Sequence, residues 1–410
     1  MIMRDLLPNM RSLSALLPIP DLFLAGRRPA VDPSMSKVPP LRPRVEIPIC
    51  DPGPDAEAAT HFRMRGQFLA RQEDWETLAQ EITKADANRA LTPGLRSIAT
   101  LLSEGARIDI AAAIAETLAR DQTRAVANIL GSLDMLRAEM PDCPAIAHVL
   151  AMAHVDAARA WDAADVPESR ACHMAAATAL NDCFDPFEYD SPMWASVRCA
   201  VLEADPAPRS RVADDYEDLI DLDPGNPWHL WHLGRELRPE RFGSWEILDQ
   251  QARRTATRTT DVWGLGGYVW IYYGAIATDP GAIRRVDGEL FAEGLHDILG
   301  RHGTQDMANR MAAMTGFTLG GYTDPGSARR RVADCLGWIA QDHLREVHPM
   351  IWFRATPPDP AKPAVGGSGD PVRIGRTRAL STLSEFYAPA LDSGRRLSFG
   401  PEGMQMIKEG

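Results

Sequence analysis

Proline placement constrains this chain more than any other feature of its sequence. Residues 27–54 and 356–369 are so rich in proline that helix and central strand are excluded there, because proline fixes φ and lacks an amide hydrogen. Between these stretches, prolines open apolar-periodic segments, where a missing amide hydrogen costs nothing in a first helical turn. These first-turn prolines are Pro93, Pro144, Pro192, Pro227 and Pro280. The pattern predicts a series of helices between two irregular segments.

Apolar residues between the proline-rich stretches recur with helical spacing, and no alternation of period two lasts for a strand's length. Helices with short links pack antiparallel, so we predict an all-α fold, either an α-solenoid or a compact bundle. The predicted helices are 56–84, 93–104, 109–120, 123–139, 144–164, 168–181, 192–203, 210–222, 227–237, 243–257, 261–277, 280–299, 305–319 and 324–346. Strands are predicted only at 372–374 and 397–399.

This pattern also predicts the domain organisation. Residues 1–54 form a Pro-rich, largely disordered segment, residues 55–354 form the helical repeat domain, and residues 355–410 form a linker and tail. The uncharged run at 262–278 is shorter than the ~20 apolar residues that a membrane span needs, so we interpret it as a buried helix.

Charge and cysteine content narrow the functional classes. The net charge of -12 disfavours binding to nucleic acid, because an acidic surface repels phosphate. The six cysteines include no C-x-x-C pair, which predicts a reducing, cytoplasmic location without structural zinc. No phosphate-binding glycine loop or serine-hydrolase motif is present, so no cofactor is predicted.

The segment from Tyr216, YEDLIDLDPGNPWHLWHLGREL, resembles the junction between two tetratricopeptide repeats. Five positions carry the match, namely Tyr216, Leu219 and Pro224 at the end of one helix and Leu233 and Gly234 in the next. Residues 66–86 look like a degenerate hairpin of the same style, and residues 145–320 are similar to poorly characterised bacterial helical-repeat proteins. The resemblance implies a tetratricopeptide-like array whose concave face binds a protein or peptide.

Aromatic residues are concentrated in one part of the predicted domain. Tryptophan and tyrosine pair an apolar ring with a polar group and are common at protein interfaces, although they also fill cores. The candidate partner-binding residues are Trp228, Trp231, Trp245, Trp263, Tyr268 and Trp270.

Two sets of acidic residues suggest an alternative, catalytic function. Asp214, Asp215 and Asp218 match the DDxxD pattern with which all-α isoprenoid synthases bind magnesium and a diphosphate. Glu289, Glu293 and Asp297 share one helical face and could form a partner cluster. A solvated acidic surface is the simpler explanation of both sets.

Histidines offer two further alternatives. His229, His232 and Glu236 lie on one face of the helix that begins at Pro227, and such a face could hold a divalent metal. His296 and Asp297, with His302, His232 and either Asp334 or Asp342, resemble the ligand set of HD-type phosphohydrolases. Polar helix faces with no metal explain both patterns.

The sequence therefore favours a noncatalytic protein-binding or scaffold protein with a protein or peptide partner. The alternative is a metal-dependent all-α enzyme, isoprenoid-synthase-like or HD-like, that acts on a phosphorylated or diphosphate substrate.

Overall fold

A computed structural model describes residues 44–120, 125–321, 323–358 and 369–408. Helices dominate these residues, which confirms the all-α prediction. The helices are α1 Pro54–Arg71, α2 Trp75–Ala87, α3 Ile98–Ala119, α4 Ala125–Glu139, α5 Pro144–Ala163, α6 Pro167–Asn181, α7 Pro192–Ala200, α8 Val212–Leu222, α9 Pro227–Glu236, α10 Trp245–Arg258, α11 Thr260–Trp263, α12 Gly266–Ile276, α13 Gly288–Arg301, α14 Gln305–Ala312, α15 Ala328–Ala333, α16 Leu336–Trp338, α17 Pro349–Arg354, α18 Pro371–Phe386 and α19 Ala388–Asp392. Short 3₁₀ or π-helical turns lie at Leu202–Ala204, Pro208–Ser210, Pro280–Arg285, Ala313–Thr318 and Ile339–His343.

The chain forms two compact units. Unit 1 contains the described residues of 56–229, and unit 2 contains those of 24–55 and 230–410. The predicted helical domain over 55–354 therefore spans parts of both units, and the described part of the tail belongs to unit 2. The predicted disordered segment falls outside the described residues up to position 43, as does most of the second proline-rich stretch.

Several predicted helix boundaries are wrong for local reasons. The predicted helix 56–84 is two helices, because Glu73 adopts a positive φ of 57° and Asp74 caps α2 by accepting from the Thr77 amide. The predicted helices 93–104 and 109–120 fuse into α3, which begins after the capping residue Ser97 rather than at Pro93. A side-chain cap thus determines where each of these helices begins.

Unit 1 is built around α5. This helix packs against α2, α3, α4, α6 and α7, and most of its residues are buried. Its alanines, among them Ala147, Ala151, Ala157 and Ala158, are almost completely inaccessible. Small side chains allow neighbouring helices to approach on several sides, so α5 forms the centre of two apolar clusters.

Each unit contains a helix crossing in which two glycines, one on each helix, meet the backbone of the other helix. In unit 1, a Cβ on Gly66 would lie 2.0 Å from the carbonyl oxygen of Leu102, and one on Gly105 would lie 2.0 Å from that of Arg63. In unit 2, the corresponding separations are 1.8 Å for Gly234 against Ile271 and 1.9 Å for Gly274 against Trp231. Both crossings are reciprocal, because each helix carries a glycine that faces the backbone of the other. In both pairs, the helix that comes next after the first member begins with Trp-Glu, at Trp75 in α2 and at Trp245 in α10.

The apolar run at 262–278 lies at the centre of unit 2. Gly264, at φ 57°, separates the short α11 from α12, so the predicted continuous helix is interrupted there. Helix α12 packs against α10 and α13, and its side chains from Tyr268 to Tyr272 are completely buried, as predicted. Among the described residues, no helix combines the length and apolar character that a membrane crossing requires.

The described tail residues fold as part of unit 2. The predicted strand at 372–374 is wrong, because these residues lie in α18, which packs against α17. The predicted strand at 397–399 is confirmed within β2 Arg395–Gly400, which pairs antiparallel with β3 Gly403–Lys408 and parallel with β1 Val45–Glu46. These strands form a three-stranded sheet in the order β1-β2-β3.

Candidate functional site

Three of the predicted partner-binding aromatics lie in the core of unit 2. Trp263, Tyr268 and Trp270 each have 0% of their surface exposed. The rings of Trp263 and Trp270 meet edge to face at 5.8 Å, and the Tyr268 hydroxyl donates to Asp249 Oδ1 at 3.3 Å. In this structure these side chains present no surface to a partner, so they serve as core residues.

The other three predicted aromatics are half-buried. Trp228, in unit 1, donates its indole hydrogen to the Gly94 carbonyl oxygen at 3.3 Å. In unit 2, Trp231 meets His232 edge to face at 5.0 Å, and Trp245 is the first residue of α10. The prediction of a partner-binding role stays open for these three residues, because part of each ring remains accessible.

The DDxxD carboxylates lie on α8 in unit 1, and two of the three are paired with arginines. Asp215 is buried and lies 3.1 Å from Arg211, and Asp218 lies 3.3 Å from Arg198, whereas Asp214 is exposed. Burial raises the pKa of Asp215, and the two arginines partly offset that effect. These contacts hold the carboxylates in ion pairs within α8 and its neighbour α7.

The second acidic set lies on α13 in unit 2. Glu289 receives two hydrogen bonds of 2.8 Å from Arg331, and Asp297 Oδ2 accepts from the Leu265 amide at 2.7 Å, where the chain turns into α12. Glu293 is exposed. Asp297 therefore has a local structural role, and the two acidic sets belong to different units.

The histidine patterns are also engaged locally. His229 lies 3.2 Å from Asp223, and Glu236 accepts from Arg241 at 2.7 Å, while His232 is exposed. His296, from the HD-like pattern, stacks on Trp338 with ring centroids 3.7 Å apart. Neither predicted set is brought together as metal ligands among the described residues.

The structure instead assembles a group that the sequence did not reveal, Cys50, Glu346 and His348 in unit 2. One potential ligand atom from each residue lies within 4.8 Å of the others, the only such His/Cys/Asp/Glu group that the described part of the chain contains. The spacing of Glu346 and His348 is a weak signal, since residues two apart share a face of an extended segment. Cys50 lies far away in the sequence and gives no signal.

A second feature was missed on the surface of unit 1. Met64 and Phe68 lie one turn apart on α1 and expose 62% and 54% of their surfaces. Phe68 is one of the apolar residues within the predicted helix 56–84, and the structure leaves more than half of its surface exposed. The Arg65 guanidinium lies 6.0 Å from the Phe68 ring centroid and pairs with Glu81.

Comparisons with known proteins do not assign this chain to a family. No protein-family model, curated protein or solved structure matches this chain. Its function must therefore be argued from its own residues.

Proposed function

We propose that this chain is a noncatalytic helical-repeat protein that binds a peptide segment of a partner protein through the exposed apolar face of α1. The observation that carries the proposal is the exposure of Met64 and Phe68, two large apolar side chains adjacent on one helix face. Contiguous apolar patches on a protein surface mark sites that bind other proteins, and these two side chains would form the centre of such a patch. The occupant is an extended or helical peptide that presents apolar anchors.

The helical architecture supports this proposal. The reciprocal glycine crossings of units 1 and 2 are consistent with a tetratricopeptide-like arrangement, in which small residues let paired helices approach closely. Repeat proteins of this kind present helix faces to peptides, and their cores contribute stability rather than chemistry. The half-buried rings of Trp228, Trp231 and Trp245 are secondary candidates for contact.

The local partners of the acidic side chains also favour binding over catalysis. A carboxylate that grips magnesium and a diphosphate must be available to the metal, yet Asp215 and Asp218 are paired with arginines, and Asp297 is a backbone acceptor. Each of these contacts would have to be given up before the carboxylate could bind a metal.

Selection from a random peptide library against the full chain tests the proposal. We expect selected peptides to carry apolar anchors and to lose at least tenfold in affinity for the double variant Met64→Ser/Phe68→Ser. Phe187→Ser is the matched control, because Phe187 is another aromatic residue of unit 1 with 51% exposure. Peptides that bind the double variant as tightly as the wild type would overturn the assignment to α1.

Calorimetric titration with magnesium and inorganic pyrophosphate tests the enzyme alternative. The binding proposal predicts no stoichiometric heat of binding. Micromolar binding that disappears in Asp214→Ala would instead support the catalytic function.

A further inference from the structure

Three side chains of different metal-ligand type lie close together in unit 2, namely Cys50, Glu346 and His348. A thiol, a carboxylate and an imidazole each contribute one atom to a group whose members lie within 4.8 Å of one another. Oε1 of Glu346 lies 3.0 Å from Nε2 of His348. We infer that these three side chains bind a zinc ion.

The ligand chemistry selects zinc and metals like it. Sulfur, nitrogen and oxygen ligands bind zinc at roughly 2.0–2.3 Å, so two ligands of a tetrahedral site lie about 3.4–3.6 Å apart. The 3.0 Å between Glu346 and His348 is close to that value, and Cys50 and Glu346, which are partly accessible, are the ligands that would have to adjust. A thiolate and an imidazole disfavour magnesium and calcium, which prefer oxygen ligands.

The backbone holds the two segments in register. Val347 donates to the Pro48 carbonyl oxygen and accepts from the Cys50 amide, both at 2.9 Å, which forms a parallel bridge between Ile49 and Val347. Side chains alternate along extended backbone, so Glu346 and His348 lie on one face and Val347 on the other. Cys50 follows the bridged Ile49 and therefore falls beside the face that Glu346 and His348 share.

Asn309, which is completely buried, fixes the loop that carries two of the three ligands. Its Nδ2 donates to the Glu346 carbonyl oxygen, and its Oδ1 accepts from the His348 amide, both at 2.9 Å. The Trp352 indole donates to the same Oδ1 at 2.8 Å, which holds the amide in this orientation. Asn309 is thus a positioning residue, since it orients two ligands without contributing an atom to the group.

Gly53 restrains the imidazole from the other side. A Cβ at this position would lie 2.9 Å from His348 Nδ1 and 3.0 Å from Cγ, so only glycine leaves room for the ring. The His348 side chain is almost fully buried, whereas Glu346 and Cys50 are partly accessible. The site is therefore rigid at the histidine and reachable from solvent at the other two ligands.

Binding releases the thiol proton to solvent, because the thiolate is the ligand form of cysteine. Zinc also replaces the hydrogen between Nε2 of His348 and Oε1 of Glu346, and that hydrogen leaves the contact for solvent or for Nδ1 of the ring. Three protein ligands leave a fourth position for a water molecule. The ion would link the segment before α1 to the loop before α17, two parts of unit 2 that are remote in sequence. The site is independent of the peptide-binding face proposed on α1.

Cobalt and zinc titrations of the untagged, reduced full chain test this inference. We expect one equivalent of Co²⁺ to produce a thiolate-to-cobalt charge-transfer band in the near ultraviolet, together with visible bands typical of tetrahedral cobalt. One equivalent of Zn²⁺ should abolish both sets of bands, and Mg²⁺ should not. A chain that binds neither metal stoichiometrically would overturn the inference.

Matched variants assign the ligands. Cys50→Ser should remove the charge-transfer band, and Glu346→Gln should shift the visible bands, whereas Cys172→Ser, which changes an exposed cysteine of α6 in unit 1, should leave the spectrum unchanged. Asn309→Ala should weaken zinc binding roughly 10–100-fold with the charge-transfer band retained. A charge-transfer band that persists in Cys50→Ser, or that is lost in Cys172→Ser, would contradict the assignment.

Thermal melts distinguish loss of the site from loss of the fold. Without metal, Cys50→Ser should melt as the wild type does, because the substitution replaces sulfur with oxygen at nearly constant size. With zinc, the midpoint should rise for the wild type and for Cys172→Ser but not for Cys50→Ser. Equal zinc-induced shifts in all three proteins would refute a site at Cys50.

Discussion

Replacement of Gly66 by alanine tests the helix crossing in unit 1. Gly66 lies in α1 where it meets α3, and a Cβ there would lie 2.0 Å from the carbonyl oxygen of Leu102. The obstacle is backbone rather than the end of a flexible side chain, so no rotamer change relieves it. The two helices must separate to accept a single methyl group.

The expected loss of stability follows from two opposing terms. Overpacking of this kind costs about 1–3 kcal/mol, and a backbone obstacle places Gly66→Ala at the upper end. Alanine recovers up to about 1 kcal/mol through its higher helix propensity, which leaves a net loss of about 2 kcal/mol. Gly131→Ala, in α4, is the matched control: a Cβ there meets nothing within 4 Å, so only the propensity gain remains.

The two variants should therefore differ by about 3 kcal/mol, a factor of roughly a hundred in the unfolding equilibrium constant. A difference of this size shifts the melting midpoint by about 6–12 °C for a unit of this length. Hydrogen exchange of peptides from α3, measured in the full chain, reports the stability of unit 1 directly. Equal protection in Gly66→Ala and Gly131→Ala would refute the close crossing.

Three further variants test other contacts and surfaces. Burial, with a smaller effect from Arg107, lowers the pKa of His148 to about 3. As the pH falls, the histidine of the unfolded chain therefore becomes protonated at a higher pH than that of the folded chain. The free energy of unfolding should fall by about 1.4 kcal/mol per pH unit as the pH drops from 6.5 towards 3. The urea midpoint of His148→Gln should depend less on pH than that of the wild type. An equal pH dependence in the two proteins would show that His148 is not the group responsible. Tyr272→Phe removes a hydroxyl that donates to Asp249 at 2.9 Å, so the free energy of unfolding in urea should fall by about 1–2 kcal/mol. An unchanged urea midpoint would show that this hydrogen bond contributes nothing to stability. The double variant of the α1 face used for peptide binding should change stability by no more than about 0.5 kcal/mol, and a larger loss would mean that this face is packed.

Local sequence signals predicted the helical fold well. Helices α5, α6 and α9 begin and end within one or two residues of their predicted positions, because apolar spacing and first-turn prolines act over a few neighbours. The uncharged run was correctly interpreted as buried. In the tail, residues 372–374 of α18 were assigned to a strand, because three residues are too short a pattern to distinguish a strand from a helix.

The candidate sites were predicted far less well. Trp263 and Trp270 looked the same in sequence as Trp228 and Trp231, and only packing separates the completely buried pair from the half-buried pair. Phe68 has the apolar character of a core residue, yet α1 leaves it exposed. A helical pattern states which residues share a face, but it does not state how much of that face a neighbouring helix covers.

The sequence by itself determined most of the helices, the proline starts of α5, α7 and α9, and the burial of most of the apolar run, because these depend on residues within a few positions of one another. Tertiary structure alone decided that Cys50 meets Glu346 and His348, and that Asn309 and Gly53 hold the histidine in place. Those contacts join segments that are far apart in the chain. No local propensity encodes such a meeting, because it results from the packing of unit 2 as a whole.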